Sequence, residues 1–421
     1  MREGANETLL DLRGVPPAEQ VRQTQAACEG QRAAGGTVRV LLDREPARLY
    51  VSLLENGYRC RLWREGSAWR LDVQADSVVL GHPRGAHSIE LDPESGRIYV
   101  TTRDDCIAVL DSASHTTLAA IPVGRSPSHL ALSADGRWLY VANAASNDLS
   151  VVDTGAGAVV ATVPVGQTPL LPCVAPDGER VYVPSGPDRS LAVVDAATRT
   201  VMASVPVGDA PHDVAVSPDG RWAYQPNSGS HTLTVIDARS GRATGELPVG
   251  RGPGHVAFSP DGRRAYVANT LSDDLTVVDV EAQAVVATVP AGVASHVPAV
   301  SPDGRFAYVA GFLSNDVTVV ETATNRSVAR LPVGVYPHSF AVSPDGRWLV
   351  VANTGAASAT IVDARRHAVT ATLPVGAGPS HVAFDPASEC AYVACSGSDD
   401  VAVIAPARQE VVATIPARAR A

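Results

Sequence analysis

PHDVAVSPDGRWAYQPNSGSHTLTVIDARSGRATGELPVG, residues 211–250, is one copy of a unit that the chain repeats. Glycines close successive copies at Gly124, Gly166, Gly208, Gly250, Gly292, Gly334 and Gly376, each 42 residues after the last. A slightly irregular copy from Gly85 to Gly124 and a last one from Ala377 onward bring the number to eight. A fixed period of this length marks stacked or ringed units. Within the quoted copy the runs HDVAVS, RWAYQP, LTVID and ATGELPV are apolar or alternate at period two, and turn residues separate them. That pattern reads as four antiparallel strands. The first turn carries glycine where φ > 0 is wanted, at Gly220, Gly262, Gly304 and Gly346. Four-stranded units at this period form a β-propeller around a central channel. Eight copies predict eight blades.

RRAYVANTLSDDLTVVD, residues 263–279, and its sister copies resemble the YVTN-type propeller repeat, over roughly residues 84 to 417. Such repeats are similar to the haem d1 propeller of cytochrome cd1 nitrite reductases and to lactonase-like propellers. The resemblance implies the fold. It leaves the activity open, because one scaffold carries many different sites.

Residues 1–75 do not repeat. LLDLRG (9–14) reads as a strand, and Pro16-Pro17 opens a helix that Gly35-Gly36 ends. TVRVLLD (37–43) reads as a second strand, EPARLYVSLLENG (45–57) as a helix closed by Asn-Gly, and YRCRLWRE with SAWRLDV as a hairpin. The expected class is therefore mainly β, an eight-bladed β-propeller (85–421) preceded by a small two-layer α+β domain (1–75), with 76–84 as linker. LDLRGVPP, LLDREPARLYVSLLENG and AWRLDV resemble the DUF2249 group, related to the TusA/SirA-like sulfur carriers. In those carriers a cysteine follows the RG turn. Here Val15-Pro16-Pro17 stands there, so docking to a partner or to the propeller itself is expected rather than sulfur transfer. SVVLG (77–81) resembles an outer blade strand and competes for that place with EVVATIP (410–416).

Composition narrows the function classes. A formal net charge of −10 argues against binding a phosphate backbone, so no nucleic-acid partner is expected. All 34 basic residues are arginine, which excludes Schiff-base lysine chemistry and a Walker-type phosphate loop. No long apolar run marks a membrane span, and the N-terminus lacks the pattern of a signal peptide, so a cytoplasmic chain is expected. The six cysteines (Cys28, Cys60, Cys106, Cys173, Cys390, Cys395) lack metal-ligand spacing and are expected as free thiols. No CxxCH, nucleophile elbow or HExxH occurs.

Chemistry-bearing residues recur at one place in the repeat. His87, His129, His212, His255, His296, His338 and His381 precede the first turn of seven copies, and only the third copy lacks one, with Leu170-Leu171 there. His87, His212, His296 and His338 sit six residues before the turn proline or its equivalent; His129, His255 and His381 sit five before it. Strand alternation then predicts that the two sets point differently, one to the channel and one between blades. Asn143, Asn227, Asn269 and Asn353 follow the turn, with Ser185, Gly311 and Cys395 as departures. The next loop adds Asp104-Asp105, Asp148, Asp273-Asp274, Asp316 and Asp399-Asp400. Imidazole, carboxylate and a thiol at a channel mouth suit a transition metal (Cu, Zn or Fe) or a haem-like tetrapyrrole. The expected cofactor-binding residues are His87, His212, His296 and His338, and the expected metal ligands His129, His255, His381 and Cys395. Duplication copies such residues too, and His or Asn before a turn also satisfies backbone groups. Trp138, Trp222 and Trp348 are expected between blades, and Asp153, Asp195, Asp237, Asp279 and Asp363 in the turn after the third strand.

The leading functional expectation is a cytoplasmic binding or scaffold propeller whose histidine-rich channel face holds a metal ion or haem-like ligand, with a protein partner through residues 1–75. The alternatives are a metal- or tetrapyrrole-dependent enzyme, redox or lactonase-like, and a pure interaction platform. No catalytic residue is assigned.

Overall fold

The computed structural model describes residues 7–15, 20, 23–24, 27, 37–42, 59–65, 68–74 and 85–418. The chain divides into two compact units, Met1–Pro83 and Arg84–Ala421. In the first, β1 (Glu7–Asp11) runs parallel to β2 (Thr37–Leu42), which pairs antiparallel with β4 (Ala68–Gln74), itself antiparallel to β3 (Arg59–Glu65). A parallel pair needs a crossover connection. Gln20 lies in that crossover, buried, and donates from Nε2 to the Val15 carbonyl at 2.9 Å. Val38, Val40, Leu42, Leu71 and Val73 form one buried face of the sheet. The expected two-layer α+β domain is corrected here to what the described residues delineate: a four-stranded sheet, with helical backbone only at Gln20, Gln23, Thr24 and Ala27 of the crossover. The helices expected after Pro17 and over 45–57 lie largely or wholly outside the described residues, as do Cys28 and the linker 76–84.

In the second unit each repeat folds as one four-stranded antiparallel sheet, eight sheets among the described residues. The first is β5 (Ile89–Leu91), β6 (Arg97–Thr101), β7 (Cys106–Asp111) and β8 (Thr116–Pro122). The turn chemistry is local. In the fourth repeat Gly220, at φ 68°, donates its N–H to the Ser217 carbonyl at 2.8 Å, while Ser217 Oγ donates to Asp219 and accepts the Trp222 N–H at 2.9 Å. Asp237 then accepts the Ser240 N–H at 2.7 Å, the Asx turn expected after the third strand, and Asp195 does the same with Thr198.

Packing follows from the second and third strands, which are buried on both faces, whereas the outer strands are largely exposed. Tyr99, Tyr140, Tyr182, Tyr224, Tyr266, Tyr308 and Tyr392 occupy the same place in the second strand and are fully buried. Tyr224, for example, packs with Val256, Ala265, Val267 and Val278 of the next sheet. Trp138 packs between the second and third sheets, with the Arg199 guanidinium 4.6 Å from its ring. Cys106, Cys173, Cys390 and Cys395 are free thiols. No helix among the described residues is long and apolar enough to cross a membrane.

Among the described residues the first and last sheets meet by packing, each built of four strands from its own repeat. Glu410–Pro416 is the outer strand of the last sheet. Ile98, Val100 and Leu110 share a core with Tyr392, Val401, Val403 and Ile415. Across the seam Ser380 Oγ donates to the His87 carbonyl at 2.9 Å, and Arg103 to the Ser396 carbonyl at 3.2 Å. Gly85, at φ 144°, lies so close to the last sheet that a Cβ would sit 2.2 Å from the Ser396 carbonyl oxygen. Gly85→Ala should therefore destabilise the propeller by about 2 kcal/mol or more. Gly245→Ala, where a Cβ meets nothing within 4 Å, should change stability little. Urea unfolding of the two variants reads the difference, and equal stabilities would contradict a seam under this steric limit.

Candidate functional site

The histidines are placed by a β-bulge in the inner strand. Pairing with the second strand is regular at His129–Ala142, His255–Ala268 and His381–Ala394, then shifts by one residue at the strand start. In the seventh repeat the shift falls between Pro337 and Ser339 and leaves His338 as the extra residue. In the sixth, His296 lies in the same break. A bulge re-aims side chains and interrupts alternation. The two histidine sets consequently do not part, one to the channel and one between blades, as alternation predicts. All seven rings form one belt: centroids lie 5.0 Å apart for His212–His255, 4.8 Å for His255–His296, 5.0 Å for His296–His338 and 5.9 Å for His338–His87. His87, His129 and His381 complete it at 5.1 to 5.6 Å.

Four imidazoles of the belt, His212, His296, His338 and His381, are held in the neutral form. Burial pushes His212 and His381 down to about 3, His338 down to about 4, and His296 well below its ordinary value, and neighbouring imidazoles add to the effect. Hydrogen bonding orients the rings. His296 Nδ1 lies 2.9 Å from the His338 carbonyl, and His338 Nδ1 lies 3.2 Å from the Ser380 carbonyl. A carbonyl only accepts, so both Nδ1 atoms carry the proton and each Nε2 keeps its lone pair. This is the orienting bond that ligating histidines make.

Below the belt stand groups that sequence reading missed. Asp213 Oδ2 lies 3.4 Å from His255 Nδ1 and accepts the Val256 N–H at 3.2 Å. Burial opposes its charge, but these bonds hold its carboxyl below the usual range. Glu90 pairs with Tyr99, and the residues in the same register elsewhere, such as Ala131, Ala215 and Ala257, are small. Burial pushes the Glu90 carboxyl up to about 7. Cys173 shares this register and is pushed up to about 12 by burial, with Asp213 and Glu90 adding to it, so it is a protonated thiol and no nucleophile. The available signal was register: Glu90 replaces alanine and Asp213 replaces a histidine.

Other expected members are structural. Asn269, fully buried, donates its amide to Asp274 at 2.6 Å and Thr276 at 2.9 Å, clamping the second strand to the third. Asn143, Asn227 and Asn353 do likewise. Asp105 and Asp273 accept the Ser126 and Ala294 N–H groups of the next repeat at 2.8 and 2.9 Å. Asp148 accepts from Asn143, Asp316 from Ser314, and Asp104 and Asp399 face Arg418. Cys395 lies apart from the belt, fully buried among Trp348, Val350 and Ala391, with its thiol pushed up to about 12 by burial. Among the described residues no group of three or more His, Cys, Asp or Glu is placed to hold a metal ion. The expected ion on His129, His255, His381 and Cys395 thus lacks a ligand set.

Residues 184–369, less than half of the chain, match the family described as "Lactonase, 7-bladed beta-propeller". A search of curated protein sequences finds no match. Among solved structures the chain is similar to Kuenenia stuttgartiensis hydrazine synthase, at 26% identity over 66% of this chain and 95% of that one, with a TM-score of 0.57. It is similar in fold to the dihydro-haem d1 dehydrogenase NirN in complex with DHE, at 20% identity over 80% and 77% of the two chains, TM-score 0.66. A functionally unknown protein from Desulfotomaculum acetoxidans shares the fold at 15% identity over 68% and 94%, TM-score 0.54. The chain is thus a β-propeller similar to lactonase-type and d1-type propellers. The expected eight-bladed class is corrected on one point: the family description is of seven blades, so the likeness extends to the propeller and not to a count of eight. The family match lies wholly in the second unit and lends no support to a DUF2249 domain at residues 1–75.

The histidines held neutral have a pH signature. A histidine whose folded pKa is lowered contributes no penalty above its unfolded value near 6.5 and loses stability as pH falls towards the folded value. For His381 that window runs from 6.5 to about 3. Glu90 acts oppositely, because a raised pKa costs stability as pH rises from 4.5 to about 7. Between pH 6.5 and 5, His381→Gln should therefore lose about 2 kcal/mol less than the parent chain, with Glu90 common to both. Urea midpoints at the two pH values test this; identical losses would mean that His381 is not held neutral.

Proposed function

We propose that the chain is a binding propeller for a haem-like tetrapyrrole, held at the histidine belt with His296 or His338 on the iron. The carrying observation is the pair of neutral imidazoles whose Nδ1 protons are spent on backbone carbonyls, leaving Nε2 as donor. A bare ion needs three or four protein ligands, a set missing among the described residues. A haem iron needs only one or two axial ones. His87 and His212, in the same belt, would flank the macrocycle. NirN, whose structure is a complex with DHE, is similar to this chain in fold, a likeness of architecture alone. When bound, the iron would supply a Lewis-acidic or one-electron centre; the chain supplies neutral donors, exclusion of water and the Asp213–His255 pair beside them.

Titration of the full chain with ferric protoporphyrin IX should give a saturable, one-to-one shift of the Soret band. His296→Ala or His338→Ala should weaken uptake by roughly the 10- to 100-fold typical of a disturbed ligand shell. No saturable uptake would refute the reading.

A second reading, a lactonase-like hydrolase, is favoured by the family match, which spans His212, Asp213, His255, His296 and His338. There His255, held by Asp213, would act as the base. Turnover of a lactone panel without added porphyrin, abolished in His255→Ala, would support it; absence of turnover across the panel would count against it.

A further inference from the structure

Two aromatic rings interrupt an otherwise small-residue rim at the mouth of the belt. In successive repeats a residue with left-handed backbone begins the inner strand: Ser126, Thr168, Ala210, Ala294 and, at φ 54°, Tyr336, with glycine at 252 and 378. Its carbonyl accepts an N–H from the loop after the second strand. Ala144, Ser228, Thr270, Thr354 and Ser396 supply that N–H elsewhere, and Phe312 supplies it in the sixth repeat, at 3.2 Å. Every sibling at both places is small; Phe312 and Tyr336 are not. The two rings stack with centroids 5.2 Å apart and planes 7° from parallel. Phe312 is also 6.0 Å from His296 and 6.4 Å from His338, the two anchored imidazoles.

The placement is built. The Asn315 side chain accepts the Tyr336 N–H at 2.9 Å, holding a left-handed conformation that a bulky residue rarely adopts. Gly355 makes room for the ring: a Cβ there would lie 2.5 Å from Tyr336 Cδ2. The rim changes character at the same place. Where Arg125, Gln167, Asp209 and Arg251 stand in earlier repeats, Val293 and Val335 follow, 41% and 42% exposed. Packing does not require an exposed aliphatic beside a strained aromatic, and such a combination marks a contact surface.

We infer that Tyr336, flanked by Val293 and Val335, is the wall against which a planar aromatic ligand lies as it reaches His296 and His338. Phe312 positions that wall from behind. This rests on the tetrapyrrole reading and assigns its specificity: the wall recognises a flat apolar macrocycle whether or not it holds iron.

The test titrates the full chain with metal-free protoporphyrin IX and with ferric protoporphyrin IX. Tyr336→Ala and Phe312→Thr place at each site a residue that sibling repeats carry, so both should fold, as thermal melts would show. Each should weaken both porphyrins about tenfold, while Tyr336→Phe keeps wild-type affinity and His338→Ala weakens only the iron form. Val335→Asp, a surface change, should weaken both forms even if a ring variant proves unstable. Wild-type affinity for both porphyrins in folded Tyr336→Ala, or in Val335→Asp, would overturn the wall while leaving the iron-binding reading standing. Failure of the parent chain to take up either porphyrin would overturn both.

Discussion

Each sheet of the second unit has two apolar faces, and neither can be covered except by the sheet next to it. The buried tyrosine of one second strand and the valines of the following repeat meet across that contact, as Tyr224 meets Val256, Val267 and Val278. Everything else is conditioned by this packing. It requires the chain to return on itself, so the first sheet must pack on the last, and Gly85 permits the close approach at that seam. It also draws the inner strands together around the axis, where most repeats place a small side chain, such as Ala131, Ala215 and Ala257, and the first places Glu90.

The inner strands end in a bulge, and the bulge converts a structural ring into a chemical one. A regular strand would send neighbouring residues to opposite sides. The one-residue shift instead lets His338 and its strand-set counterparts His255 and His381 share one mouth. Desolvation then decides their state. Burial disfavours the charged forms of His212, His296, His338 and His381, and charge on a neighbouring imidazole would repel them further. The arrangement is tolerable because these four are neutral and because the Nδ1 protons of His296 and His338 reach backbone carbonyls of the next repeat. The bonds that tie one blade to the next are therefore the same bonds that fix which nitrogen faces a ligand.

The architecture was legible in the sequence because it is written in periodicity, which survives duplication. The turn glycines, the Asx turns at Asp195 and Asp237 and the interblade tryptophans were read from local chemistry that needs no knowledge of neighbours. The histidine positions were legible, but their convergence was not, since period-two alternation is blind to a bulge. Asn269 and its sisters were mistaken for site residues because a polar residue near a turn looks alike whether it faces a channel or clamps two strands. Cys395 failed for a related reason: it occupies the asparagine place, and that place turned out to be interior. Glu90 and Asp213 were invisible until pairing showed which residues they stand in for.

Those last cases carry the functional argument. In a duplicated chain, likeness among copies reports mainly what packing demands, so a residue shared by all repeats says little about chemistry. Information about a ligand lies where one copy departs from its sisters and the departure is not explained by packing. Tyr336 accepts left-handed backbone that its siblings meet with glycine, alanine, serine or threonine. Asp213 keeps its charge in a buried place where other repeats put histidine or a neutral residue. Glu90 carries an acid at a level where others carry a methyl group. Glu90 costs stability as pH rises, Tyr336 takes a backbone conformation that bulky residues rarely adopt, and Asp213 keeps its charge only through its bonds to His255 and Val256. A fold that needed only to close its ring would have had no reason to keep them.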